Sequence, residues 1–185
     1  MCQWLQAQGE PVVRFTNKIT LEIIEEMQPS FIVSFNYKYI ISQSIIEHMD
    51  GKIINLHTSY LPYNRGSSPN FFSFYDDTPK GVTIHFISKG LAQGDILCQK
   101  EIQFDETIET FTSSYEVLLQ EMSQLFKENW KEIQSGALKG VPQSGESTYH
   151  KSEELHKIRM EIDFDWNDTI ADFKRRRDNK KQMKD

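Results

Sequence analysis

Two cysteines, Cys2 and Cys98, are all that the 185 residues contain. That is too few for a disulfide framework or a thiolate metal cluster, and it predicts two reduced thiols in a cytoplasmic protein. Six prolines and nine glycines exclude a collagen-like or proline-rich chain, and no internal repeat or low-complexity block is present. No apolar run approaches the roughly 20 residues of a membrane span. The first residues also lack the basic-then-apolar order of a signal peptide. Cations are in deficit, 21 against 27 acids, for a net charge of −6. Nucleic-acid backbones demand clustered cations, so neither nucleic acid nor membrane is an expected partner. What remains, 38% hydrophobic and 26% charged residues, is the make-up of one globular domain with a full core.

The charge is uneven. Residues 172–185 hold Lys174, Arg175, Arg176, Arg177, Lys180, Lys181 and Lys184 against three acids, a local +4 that leaves −10 for the body. A terminal basic run of this kind predicts a solvated tail.

The pattern along the chain alternates strands and helices. Thr20–Met27 reads as a short helix capped by Thr20 and halted before Pro29. Phe31–Phe35 is a continuous apolar run, as in a strand covered on both faces. A helix follows from Ser42 to Met49, with Ser44 and Glu47 at capping-box spacing, closed by Asp50-Gly51. Ile53–Leu56 is a second buried strand. Ser68-Pro69 reads as an N-cap with proline at the first helical position, opening a helix to Tyr75. Val82–Ile87 and Ile96–Phe104 are further strands. Phe111, Tyr115, Leu118, Met122, Leu125, Phe126, Trp130 and Ile133 keep helical spacing up to Gly136. The expected fold is α/β, Rossmann-like, with a mostly parallel sheet flanked by helices. The front is unusual: Met1–Gly9 reads as a helix end and Pro11–Phe15 as a strand, and the customary first strand is missing.

Ligands in such sheets sit beyond the carboxyl ends of the strands. There the chain carries Asn55 and His57. Two apart on a strand, they project to one side. An amide that donates to a developing oxyanion beside an imidazole that handles a proton suits acyl transfer. The bland alternative is a satisfied histidine at a strand end.

The longer segment Asn55-x-His57-x-Ser59-Tyr60-Leu61-Pro62, with Arg65-Gly66 close behind, resembles the signature of the folate-dependent formyltransferases. Gly81–Ile87 followed by Gly90–Leu97 is similar to that family's second signature. Within the family, Ser59–Gly66, Pro69–Phe74 and Thr148-Tyr149-His150 look most like the nucleotide-sugar N-formyltransferases. The resemblance implies transfer of a formyl group from 10-formyltetrahydrofolate to the amine of a nucleotide-linked amino sugar. It implies small-molecule partners, with a homodimer as the candidate assembly. By the same resemblance Asn55 would stabilise the oxyanion and His57 would stabilise it or shuttle the amine proton. Asn36, Tyr37, Tyr39, Ile40, Gly90, Leu91 and Gly94 would line the folate pocket, and Tyr60, Arg65 and Gly66 the substrate site. Residues 1–140 would form an N-terminally truncated catalytic domain and residues 141–185 an extension ending in the basic tail.

One position departs from the family pattern. Its third catalytic residue is an aspartate, and Ala92 stands there. Asp95, three residues on, is the candidate stand-in carboxylate. Without a carboxylate partner the His57 pKa should fall and its ring lose orientation. Two alternatives follow: a degenerate or truncated member that binds folate or nucleotide sugar without efficient catalysis, and, more weakly, a methionyl-tRNA formyltransferase. His48 and His156 read as surface residues, His85 as a packed strand residue, and Phe71, Phe72, Phe74 and Tyr75 as core. Asp76–Gly81 reads as a turn. His57, His85 and Asp95 lack metal-ligand spacing, and no metal is expected.

Overall fold

The computed structural model describes residues 1–88 and 92–183. The elements run α1 (Cys2–Ala7), α2 (Leu21–Met27), β1 (Ile32–Phe35), α3 (Gln43–Met49), β2 (Ile53–His57), β3 (Arg65–Gly66), α4 (Pro69–Tyr75), β4 (Gly81–Phe86), β5 (Ile96–Glu101), α5 (Phe111–Gln134), β6 (Tyr149–His150), α6 (Ser152–Glu161) and α7 (Ile170–Gln182). The main sheet has the order β1-β2-β4-β5, and β3 pairs with β6 in a separate ribbon.

The α/β layering is as expected, but the sheet is mixed. β1 and β2 are parallel, whereas β2–β4 and β4–β5 are antiparallel. The reason is the connection: α4 lies at the carboxyl end of β2, so the chain re-enters the sheet from that end, with Thr83 opposite His57. Parallel pairing would require a crossover back to the other end.

Alternation along β2 separates two cores. Ile54 and Leu56 join Val82, Ile84, Leu118, Met122, Leu125, Phe126, Trp130 and Ile133 beneath α5. Ile53 faces the other way, onto Ile24, Ile41, Ile45 and Met49 of α2, α3 and the loop before α3. Asn55 and His57 share the Ile53 face, beyond the cover of α3, and so open onto a cavity.

Local signals explain several boundaries and correct others. Thr20 caps α2 by accepting from Ile23 N, and Gly136, at φ +71, follows α5. At α3 the cap is Ser42; its Oγ meets Ser44 Oγ at 2.9 Å, and Glu47 accepts from Gln43, so the Ser44/Glu47 capping box is not formed. Pro11–Phe15 is not a strand. Among the described residues it has no ladder partner, and Val13 is 66% and Phe15 41% exposed.

The basic terminus is not wholly a solvated tail, although Arg175, Lys180 and Lys181 stay exposed. It forms α7, whose Phe173 and Ile170 pack with Phe71, Phe72, Phe74, Phe111, Ile162 and Phe164 into an aromatic core. Arg177 is 6% exposed and donates to the carbonyls of Phe74 (3.3 Å) and Tyr75 and to Asp77 (3.0 Å). Lys174 pairs with Asp77 and with Glu106 at 2.6 Å. Burial opposes the Asp77 charge, but Lys174 and Arg177 outweigh it and hold its carboxyl below the usual range. Cations that look free in one dimension meet acids 68 to 100 residues away. Among the described residues no helix is long and apolar enough to cross a membrane.

Candidate active site

A cavity of about 1290 Å³ opens at the carboxyl ends of β1 and β2. Its polar floor comes from Ser34, Asn55, His57 and His85, and Ala92 reaches its rim. Asn36, Tyr37, Tyr39 and Ile40 form one wall, whereas Pro69, Phe71, Phe111, Tyr115 and Trp166 form the opposite one. Asn36 Nδ2 donates to Tyr115 Oη at 2.9 Å and ties the two walls together.

Asn55 and His57 therefore do project into one space. His57 is 9% exposed, and its Nε2 lies 3.1 Å from the Asn64 carbonyl. A carbonyl only accepts, so Nε2 carries the hydrogen and the neutral ring keeps its lone pair on Nδ1. Burial lowers the His57 pKa below its ordinary value, and the Asn64 carbonyl partly opposes this. The expected fall in pKa is present; loss of orientation is not, because Asn64 holds the ring.

His85 is the packed strand residue its pattern implies, 2% exposed, and it also lines the cavity. The antiparallel register sets it directly opposite Asn55, and such pairs share a face. Its Nδ1 donates to the Phe86 carbonyl at 2.7 Å, and its Nε2 lies 3.3 Å from Asn55 Nδ2. Burial, then the neighbouring His57, push its pKa down to about 4. The signal that could have found it was present: His85 alternates with Ile84 and Phe86, and so faces away from the core that they enter.

Ala92 has a left-handed backbone, φ +51. Gln143 holds it there: Nε2 donates to the carbonyls of Ala92 and Gly94, each at 2.8 Å, while Oε1 accepts from Arg65 Nε at 3.2 Å and Nη2 at 2.6 Å. Nothing in the sequence marks Gln143, a lone glutamine in a loop. Asp95 does not line the cavity. It is exposed, with its Cβ beside Gly140, because Gly94 is buried against the Phe86 carbonyl, where a Cβ would sit at 1.8 Å. Gly94 likewise does not line the cavity.

Of the substrate-site candidates, Gly66 lines the cavity and Tyr60 and Arg65 do not. The Gly66 backbone has φ +92, and a Cβ there would meet the His150 carbonyl at 2.2 Å. Gly90 and Leu91 lie outside the described residues. No cluster of three or more metal-ligating side chains exists among the described residues. His48 and His156 are exposed.

The fold that carries this site has counterparts among solved structures. A solved formyltransferase, PseJ from Anoxybacillus kamchatkensis, was captured with UDP-4,6-dideoxy-4-formamido-L-AltNAc and tetrahydrofolate. It matches this fold with a TM-score of 0.87 and 36% identity, over 92% of this chain and 90% of that one. Methionyl-tRNA formyltransferase of Finegoldia magna is 35% identical over 88 residues, 47% of this chain and 28% of that protein. Its counterpart in Clostridium botulinum is 28% identical over 143 residues, 77% of this chain and 46% of that protein. The chain thus spans less than half the length of these two curated relatives. The sequence model of a family described as formyl transferase matches residues 7–128, a span that carries both signature segments, the cavity floor and most of α5. On that match the chain belongs to the formyl transferase family.

Proposed function

We propose that this chain transfers a formyl group from 10-formyltetrahydrofolate to the amine of a nucleotide-linked amino sugar. The observation that carries the reading is the near full-length likeness to a formyltransferase solved with a UDP-linked formamido sugar and tetrahydrofolate. The cavity is consistent with two substrates: 1290 Å³ exceeds the roughly 300–1,000 Å³ typical of single-ligand pockets.

The amine nitrogen attacks the formyl carbon and forms the new C–N bond. The carbonyl electrons move to oxygen, where an Asn55 N–H donates to the oxyanion. The His57 Nδ1 lone pair accepts the amine proton. Collapse re-forms the carbonyl and breaks the bond to N10, which takes a proton and leaves as tetrahydrofolate. Asn36, Tyr37, Tyr39, Ile40 and the segment ending at Gly94 serve the folate; Gly66, with Tyr60 and Arg65 behind it, serves the sugar side. In this reading the first 140 residues carry the catalytic constellation, and residues 141–185 brace it. The protein acts in the cytoplasm.

The second reading is a binding protein without efficient catalysis, favoured by Ala92 at the carboxylate position. Formylation of methionyl-tRNA is disfavoured by the net charge of −6.

Calorimetry with 5-formyltetrahydrofolate tests the pocket: binding is expected, and silence at high protein concentration overturns both leading readings. Tetrahydrofolate release with 3-amino and 4-amino nucleotide sugars separates them. Binding without turnover of any sugar assigns the chain to the binding class.

A further inference from the structure

We propose that His85 is a positioning residue that sets the polarity of the Asn55 amide, turning its NH2 end rather than its carbonyl end toward the reacting centre. The catalytic meaning of this rests on the formyl-transfer reading; the geometric half does not.

An asparagine amide has two ends of similar size and opposite polarity, and packing alone hardly tells them apart. Its neighbours must decide. His85 Nδ1 lies 2.7 Å from the Phe86 carbonyl, which can only accept, so Nδ1 carries the hydrogen. The neutral ring then offers only a lone pair at Nε2, and that atom lies 3.3 Å from the Asn55 amide nitrogen. Only the NH2 end can face it. One N–H is held by His85, and the second projects from the same nitrogen. A flipped amide would bring two lone pairs together at His85 and present a carbonyl to the developing oxyanion.

The frame behind the pair is a hydrogen-bonded sheet. Asn55 and His85 are opposed in register across β2 and β4, and β5 carries a bulge beside His85, between the pairs Ile84–Cys98 and His85–Ile96. A bulge commonly re-aims a side chain next to a site. The ring of His57 lies edge-on at 6.2 Å between centroids. Among the described residues no carboxylate lines this part of the floor: Ala92 stands on the rim, and Glu116 lies on the far wall with α5. The low His85 pKa, about 4, agrees with a ring that stays neutral through the physiological range.

Two measurements test the proposal. In long-range ¹H–¹⁵N spectra of the whole chain near pH 7, His85 should show the Nδ1–H tautomer, and His85→Leu should shift the Asn55 side-chain NH2 resonances. An Nε2–H tautomer, or unmoved Asn55 resonances, overturns it without reference to activity. In formyl transfer with 10-formyltetrahydrofolate, His85→Leu should lower kcat about tenfold to a hundredfold with little change in KM, a fraction of the usual oxyanion-donor effect. His85→Gln, whose Oε1 can still accept, should recover most of that loss. In an Asn55→Ala background His85→Leu should cost nothing further. An equal cost in both backgrounds marks a merely structural residue and overturns the proposal. If the parent turns over no amine, the formyl-transfer reading fails, while the spectra still decide how Asn55 is oriented.

Discussion

The Asn64 carbonyl takes the Nε2 hydrogen of His57 at 3.1 Å, so a main-chain group orients the imidazole where the family pattern has an aspartate. Asn64 is itself fully buried and left-handed, φ +56. Its amide donates to Thr78 Oγ1 and its backbone N–H to Thr148 Oγ1, both at 2.7 Å. Thr148→Val should leave that N–H without a partner, at a cost of about 1–2 kcal/mol. Formyl transfer should slow as the carbonyl drifts from His57. Denaturant melts and steady-state rates on the same variant check both effects.

Acid sensitivity follows from the two histidines. Both are pushed below their ordinary pKa by burial, His85 to about 4. The unfolded chain therefore binds more protons than the folded one between about pH 6.5 and 4. The stability from keeping these rings neutral is full above pH 6.5 and is lost as pH falls through that window. For His85 the loss approaches about 3 kcal/mol, as an order of magnitude. Melts from pH 7.5 to 4 should show a steeper fall in the parent than in His85→Gln, since carboxylate contributions are common to both. Parallel curves would count against a neutral, buried His85.

Ala92→Asp should raise formyl transfer at least about tenfold, a modest share of an acid–base contribution. Aspartate tolerates the left-handed backbone that Gln143 imposes there better than most residues. Asp95→Asn should change the rate less than twofold, because Asp95 does not line the cavity. If instead Asp95→Asn abolishes turnover and Ala92→Asp gives no gain, Asp95 is the working carboxylate.

Arg177→Ala should remove the donor to the Phe74 and Tyr75 carbonyls and the partner of Asp77. We expect a loss of about 2 kcal/mol, mostly from the buried carbonyls, since Asp77 is half-exposed and its ion pair is screened. Deleting residues 174–185 should cost more, through the Phe173 end of the aromatic core. A melting temperature within a degree of the parent in either case would mean that α7 is not held as described.

The site was legible where the signal is local. Alternation along a strand is enough to place Asn55 and His57 in one space. Ser68-Pro69 announces α4, and the spacing from Phe111 to Ile133 announces α5. What stayed hidden depends on pairing. His85 becomes a site residue only once β4 runs antiparallel to β2, an orientation set by the position of α4. Gln143 matters only because the chain returns past Ala92 and Arg65. Arg177 reads as solvated until Asp77 and the end of α4 are brought beneath it. Pro11–Phe15 has the residues of a strand and, among the described residues, no neighbour to pair with.

The aromatic core joins α4 to α7, with Arg177 103 positions beyond Phe74. A chain made from its amino end exposes Phe71, Phe72 and Phe74 long before their covering helix exists. At about 5–20 residues per second, that interval is roughly 5–20 s. Throughout it the nascent protein carries an open aromatic surface, a target for chaperones and a seed for aggregation. Heterologous yield should therefore respond to translation speed over codons 75–177 more than to any change at the cavity.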